Sequence, residues 1–204
     1  MALKDVLWAC PACHAIESIA PDGRCQACDA RLRRGRGALI VLNRAGAAPE
    51  ERSVADWLAQ LPWPDLDAEG LSLPGGITPP FEAAVLVRTE THRKPLRLAG
   101  DYIGTIEVFG EREPGTLTLD LASIAFTPDP ATVGWCWPLA DLAAIQPASS
   151  TIQLKVRGGP VASLRFRTGS VRLWEQRLKF CTRHAWNAAG RGRILEFQPR
   201  IRAA

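Results

Sequence analysis

Four cysteines carry the clearest chemistry in this chain. Cys10 and Cys13, and Cys25 and Cys28, form two CxxC pairs in CPACHAIESIAPDGRCQAC, eleven residues apart. In a tight CxxC turn, backbone amides point at the sulfurs and both thiolates reach one cation. A second such turn completes a tetrahedron, and four soft thiolates at this spacing suit a single zinc ion. Because the four sulfurs close the coordination shell, no position remains for water or substrate, and the ion is expected to be structural. The chain has six cysteines in all. A disulfide set is the weaker alternative, since the N-terminal MALKDVLWACPACH has no apolar run suited to a secretory signal and intracellular thiols stay reduced.

The remaining reactive side chains give no catalytic constellation. There is no GxSxG elbow, GxxxxGK[ST] loop, HExxH pair or glycine fingerprint for a dinucleotide, and no catalytic residue is assigned. His14 follows a cysteine ligand and is read as a neighbour of the metal rather than a fifth ligand. Cys181 and His184 lie one helical turn apart, but Cys181 falls on an apolar stripe and reads as a buried core thiol. Cys136, between Trp135 and Trp137, is expected to point inward on a strand. The chain is therefore read as a binding protein, not an enzyme.

Basic residues supply the candidate contact surfaces. Arg31, Arg33, Arg34 and Arg36 follow the second CxxC pair at once, and Arg88, Arg93, Lys94 and Arg97 crowd the segment RTETHRKPLR, read as a loop between two strands. Arginine accounts for 21 of the 25 basic residues, which favours bidentate contacts to phosphate or carboxylate. The formal charge of +4 falls to about +2 once four thiolates hold a divalent ion. Residues 1–44 carry seven basic and four acidic side chains, residues 45–83 one and seven, and residues 84–204 seventeen and ten, so an acidic connector separates two basic ends. Trp63 in its proline bracket and Trp186 near the end of the last helix are candidate partner anchors.

These residues need elements to position them. Ala38–Leu42 is a short apolar run that would add a strand beside the cysteine turns. From Pro49, the segment PEERSVADWLAQL predicts a helix with Val54, Trp57, Leu58 and Leu61 on one face and Glu50 and Glu51 in its first turn. Five prolines between Pro62 and Pro80 then exclude regular structure. Short β-rich runs follow at 84–88, 96–99, 103–109, 115–119, 123–127, 133–138, 151–157 and 161–167, with Gly158-Gly159-Pro160 as a turn signal. A long amphipathic helix comes last. Ser170 is placed to cap it, Val171, Trp174, Leu178, Cys181 and Ala185 form its apolar stripe, and Gly190 ends it.

Residues 8–42 resemble the zinc-ribbon family in the spacing of their cysteine pairs. About seven antiparallel strands closed by one C-terminal helix resemble the pleckstrin-homology superfold over residues 84–190. Within it the GRAM branch is the nearest pattern, matched at GTLTLDLASIAFTPDP, WCWPLADLAAIQ and TIQLKVRGG. Gly115, Phe126, Pro138, Leu139, Asp141 and Leu142 stand at the positions that carry this likeness. The resulting expectation is an α+β chain, mainly β: a zinc ribbon over 1–44, a short helix and proline-rich connector over 45–83, and a β-barrel or sandwich capped by a helix over 84–204.

The resemblance implies a protein that acts by binding. The leading expectation is an adaptor or accessory subunit of a protein complex, cytoplasmic or peripheral on the cytoplasmic face of the inner membrane, with one structural zinc. Many pleckstrin-like domains bind phosphoinositides at their first two strands, which makes anionic lipid at the Arg93 segment the alternative. Nucleic acid at Arg31–Arg36 is the third reading, weakened because Trp8 is the lone aromatic nearby for base stacking. No stretch approaches the roughly 18 apolar residues that would span a bilayer.

Overall fold

A computed structural model describes residues 3–61, 79–148, 150–167 and 169–191. The proline-rich connector over 62–78, Trp63 within it, and the tail from 192 lie outside the described residues. The described residues fall into two compact units, one of residues 3–61 with 169–176, the other of 79–167 with 177–191.

The first unit opens with a single helical turn, α1 (Leu3–Val6), and the two cysteine turns, and continues into a small antiparallel sheet. Its strands are β1 (Arg31–Arg34), β2 (Leu39–Asn43) and β3 (Glu50–Ser53), in the order β1-β2-β3. The arginine run is thus a strand, with Leu32 buried and its neighbours Arg31 and Arg33 exposed. The helix expected from Pro49 starts later, as α2 (Val54–Gln60). Glu50 and Glu51 pair with β2 instead, and Ser53 and Asp56 form a reciprocal capping box that starts the helix. Side chains satisfying the first free amides outweigh the weaker attraction of acidic residues to the helix dipole. The predicted apolar face holds: Trp57 is fully buried and donates from its indole Nε1 to the Ile40 carbonyl at 3.0 Å, while Val54 and Leu58 pack against the same core.

Gly23 shows why the chain can double back so tightly. Its φ of +85° is a region that side chains rarely adopt, and a Cβ there would meet the Leu32 carbonyl oxygen at 2.2 Å. That close approach lets Leu32 donate to the Gly23 carbonyl at 2.8 Å and tie β1 to the metal-site loop.

In the second unit eight antiparallel strands form one curled half-barrel sheet. They are β4 (Phe81–Leu98), β5 (Asp101–Phe109), β6 (Glu113–Leu119), β7 (Ser123–Pro128), β8 (Trp135–Pro138), β9 (Leu142–Pro147), β10 (Ile152–Val156) and β11 (Val161–Phe166). The path is β8-β7-β6-β4-β11-β10-β9, with β5 attached to β4 alone. Alternation in the sequence translates into burial: Leu117 and Leu119, and Ile152 and Leu154, are completely buried on the inner face. Gly115 leaves its neighbouring strand room to pack, because a Cβ there would meet the Phe126 ring at 2.5 Å and the Thr127 carbonyl at 2.3 Å.

Three features of this sheet depart from the sequence reading. The strands read at 84–88 and 96–99 are the two ends of one eighteen-residue strand, β4, so RTETHRKPLR is a strand rather than a loop. LAAIQP was not read as a strand, yet it is β9, paired with β10 through Leu142 to Pro147. Cys136 is exposed rather than buried, because Trp135 and Trp137 take the inner positions and stack at 3.9 Å. Two large flat side chains gain more by burial and stacking than one thiol.

The last helix, α3 (Val171–Ala188), begins in the first unit and continues in the second. All five residues of its predicted stripe are buried. In the first unit Leu173 packs with Trp8, Ala9 and Leu61. In the second, the Arg177 guanidinium lies over the Phe81 ring at 4.8 Å. Ser170 supplies its carbonyl to the Trp174 amide, but its hydroxyl is buried without a hydrogen-bond partner and does not cap the helix. No helix among the described residues is long and apolar enough to cross a membrane.

Candidate metal centre and exposed surfaces

The two cysteine turns have the same backbone design. In the first, Cys10 donates to the Ala15 carbonyl at 3.0 Å and His14 donates back to the Cys10 carbonyl at 2.8 Å; in the second, Cys25 donates to Ala30 at 2.8 Å and Asp29 to Cys25 at 3.0 Å. The amides of Ala12 and Ala27 each point at the sulfur two residues earlier, both at 3.4 Å. His14 and Asp29, the residues just after the second cysteine of each pair, both have left-handed backbone, with φ of 61° and 60°. His14 therefore shapes the turn and is not among the metal-ligating group. Asp29 does the equivalent job, and histidine and aspartate are among the side chains that tolerate this conformation best.

These turns bring Cys10, Cys13, Cys25 and Cys28 together, with the four sulfurs all within 4.8 Å of one another. Two pairs, Cys10 with Cys28 and Cys13 with Cys25, stand at 3.8 and 3.7 Å. A tetrahedron with metal–sulfur bonds of about 2.3 Å has edges of about 3.8 Å, so the residues fit a four-coordinate thiolate ion such as zinc. Cys10 and Cys25 are buried in the core of the first unit while Cys13 and Cys28 face outward. An ion held there would tie the loop surface to the apolar interior.

Ser18 is a site residue that the sequence reading did not identify. Its buried hydroxyl lies 3.3 Å from the Cys25 sulfur and 2.8 Å from the Ala15 carbonyl, so its one proton turns to the sulfur when Cys25 is a thiolate. Burial opposes ionisation of Cys25, but the Ser18 hydroxyl and the amides of Ala27 and Cys28 outweigh it and bring the thiol down to about 6. Burial pushes Cys10 well above the ordinary thiol range. Cys181, in the second unit, is raised to about 12 by burial and behaves as a core side chain, while His184 is exposed.

The basic residues separate by role. Along β1, alternation sets Arg31 and Arg33 on one face, opposite Asn43 and Val41 of β2, with Arg34 on the other and Arg36 exposed in the following turn. Trp8 is buried, so it offers no ring for base stacking. Arg88 is half-buried and structural: its Nε donates to the Gly110 carbonyl at 3.1 Å and its guanidinium lies 5.8 Å from the Phe109 ring centre. Arg93 pairs with Glu90, whose carboxylate also accepts the Val161 amide at 2.9 Å. The Arg93 bond, with the Val161 amide, holds the Glu90 carboxyl below the usual carboxylate range against the opposing effect of burial. Arg97 donates to the Gly100 carbonyl at 2.9 Å, and Lys94 is exposed. Trp186 is half-buried, and its Nε1 is enclosed without a hydrogen-bond partner.

Neither a scan against protein-family models nor a search of curated proteins finds a match to this chain.

Proposed function

We propose that this protein is a non-catalytic adaptor or accessory subunit, with one structural zinc in a ribbon and a pleckstrin- or GRAM-like domain as its second module. The observation that carries the reading is the closed tetrathiolate geometry: four sulfurs from two matching turns already supply a full tetrahedron, so the ion's work is to hold the fold. Seven antiparallel strands on one path, a final helix, and the packing of Phe126 against Gly115 support the pleckstrin-type reading of the second module. Exposed Arg31 and Arg33 on one face of β1 offer a rigid pair of forked donors for an acidic protein surface. The proposed setting is the cytoplasm, on a complex at the inner face of a membrane.

The test is affinity purification of the tagged protein from gently solubilised source cells, with mass spectrometry of what is retained. A stoichiometric protein complex, lost on Arg31→Glu with Arg33→Glu, supports the adaptor reading. Recovery of the chain without a partner protein overturns it.

Anionic lipid is the second reading, favoured by Lys94 and Arg97 standing beside exposed Leu98 and Tyr102. It requires sedimentation with anionic vesicles that Lys94→Glu and Arg97→Glu abolish, and absence of binding at low salt rules it out.

A further inference from the structure

The far half of β4 and the whole of β5 form a two-stranded arm that pairs with nothing else among the described residues. Its neck is secured. Glu90 bonds Arg93 and the Val161 amide, Arg88 bonds the Gly110 carbonyl, and the Gly110 amide bonds Thr89 at 3.0 Å. Beyond the neck the arm has two unlike faces. Directly paired residues share a face, so the register places Arg93, Pro95, Arg97, Tyr102, Thr105 and Glu107 on one side. The other side carries Lys94 paired with Ile106, Leu96 with Gly104, and Leu98 with Asp101.

The arm is unusually apolar for exposed surface. Six large hydrophobic side chains are exposed among the described residues, and five belong to it: Leu96 (38%), Leu98 (67%) and Ile106 (47%) on this second face, Tyr102 (61%) on the first, and Ile103 (55%) at the register shift between Gly104 and Tyr102. A lone two-stranded ribbon is marginally stable in water, and a concentration of exposed apolar groups marks an interaction surface.

We infer that this face docks on the same face of a second copy of the chain, through Leu96, Leu98 and Ile106 and with Lys94 of each copy against Asp101 of the other. The pattern is its own complement. A two-fold axis through the Leu96–Gly104 pair, reversing tip and neck, lays the Leu98–Asp101 pair of one copy over the Lys94–Ile106 pair of the other. Leu96 then meets the second copy's Leu96 at the centre, where Gly104 has open space on its side-chain face. Each end of the stack receives one cation, one anion and two aliphatic side chains. A membrane fits this face less well, because Asp101 stands at the tip, among the groups that would enter first, and meets anionic headgroups with like charge. The face is small, so the dimer is weak and concentration-dependent rather than obligate.

The experiment is sedimentation equilibrium of the zinc-loaded full chain across a wide concentration range, with matched variants. The wild-type mass is expected to double as concentration rises. Lys94→Asp or Asp101→Lys alone should weaken the dimer by about tenfold or more, and the two together should restore it, as a direct charge pair demands. Leu96→Asp should leave a monomer, whereas Thr105→Glu on the polar face should change nothing. Unaltered circular dichroism shows that each variant is folded. A mass that stays monomeric at every concentration overturns the inference, as does a dimer indifferent to Leu96→Asp or not restored by the double exchange. A monomer that floats with anionic vesicles through Leu98 and Ile106 also overturns it and gives the face to lipid.

Discussion

The two units are held together by different means. In the first, two of the four clustered cysteines sit among the core side chains, so sulfur is built into the interior. In the second, the interior is a layer of buried aliphatic and aromatic groups from β4, β6, β7, β10 and β11. A unit of the first size is marginal on apolar burial alone, whereas the second is large enough to rest on its hydrophobic core. An ion held by the four cysteines would supplement hydrophobic burial where the chain is short.

Removing the metal should break this contrast most severely. Chelation, or Cys25→Ser, is expected to unfold residues 3–61 while the β-sheet amide resonances of 81–166 persist in a two-dimensional NMR spectrum, since structural zinc contributes about 10–16 kcal/mol to small modules. Simultaneous collapse of both sets of resonances would refute the separation.

Leu154→Ala probes the other side. It should cost about 2–5 kcal/mol in denaturant unfolding of the second unit. Metal affinity should remain unchanged.

Ser18→Ala leaves all four ligands in place but removes the hydroxyl that reaches Cys25. Competition with a chromophoric chelator should show metal affinity reduced by about 10–100-fold, with the tetrathiolate cobalt spectrum retained. An affinity equal to wild type would reduce Ser18 to a core polar group.

The smallest effect concerns the neck of the arm. Glu90 has its folded pKa depressed, so it contributes stability above the unfolded carboxylate pKa, and that contribution is lost as pH falls through the folded value. The Val161 amide shift should titrate with an inflection below the ordinary glutamate value of about 4.3. An inflection at the ordinary value would show that the Arg93 bond does not persist in solution.

Legibility differed in the same way between the units. CxxC spacing is covalent information, so the four-cysteine cluster was readable from residue types alone. The positive φ at His14 and Asp29 was also available, as the equivalent position in two repeated turns, but only the pairing of the turns reveals it. Ser53 and Asp56 spelled a capping box, and the acidic pair upstream masked it. In the second unit, alternating Leu117 and Leu119 announced a half-buried strand, whereas the middle of β4 is exposed on both faces and is a strand through pairing with β5. Periodicity reports burial, so residues 89–95 of the arm leave no periodic signal, while its ends at 96–99 and 103–109 were legible as short β-rich runs. Cys136 was misplaced for a related reason: alternation fixes which residues share a face, and only the stacked tryptophans decide which face is inner.

Native mass spectrometry of the intact chain, purified without added metal, tests the central claim most directly. The account predicts one zinc per chain, released by chelator together with the fold of the first unit. A metal-free chain lacking four hydrogens, with Cys10 joined to Cys28 and Cys13 to Cys25, would contradict it.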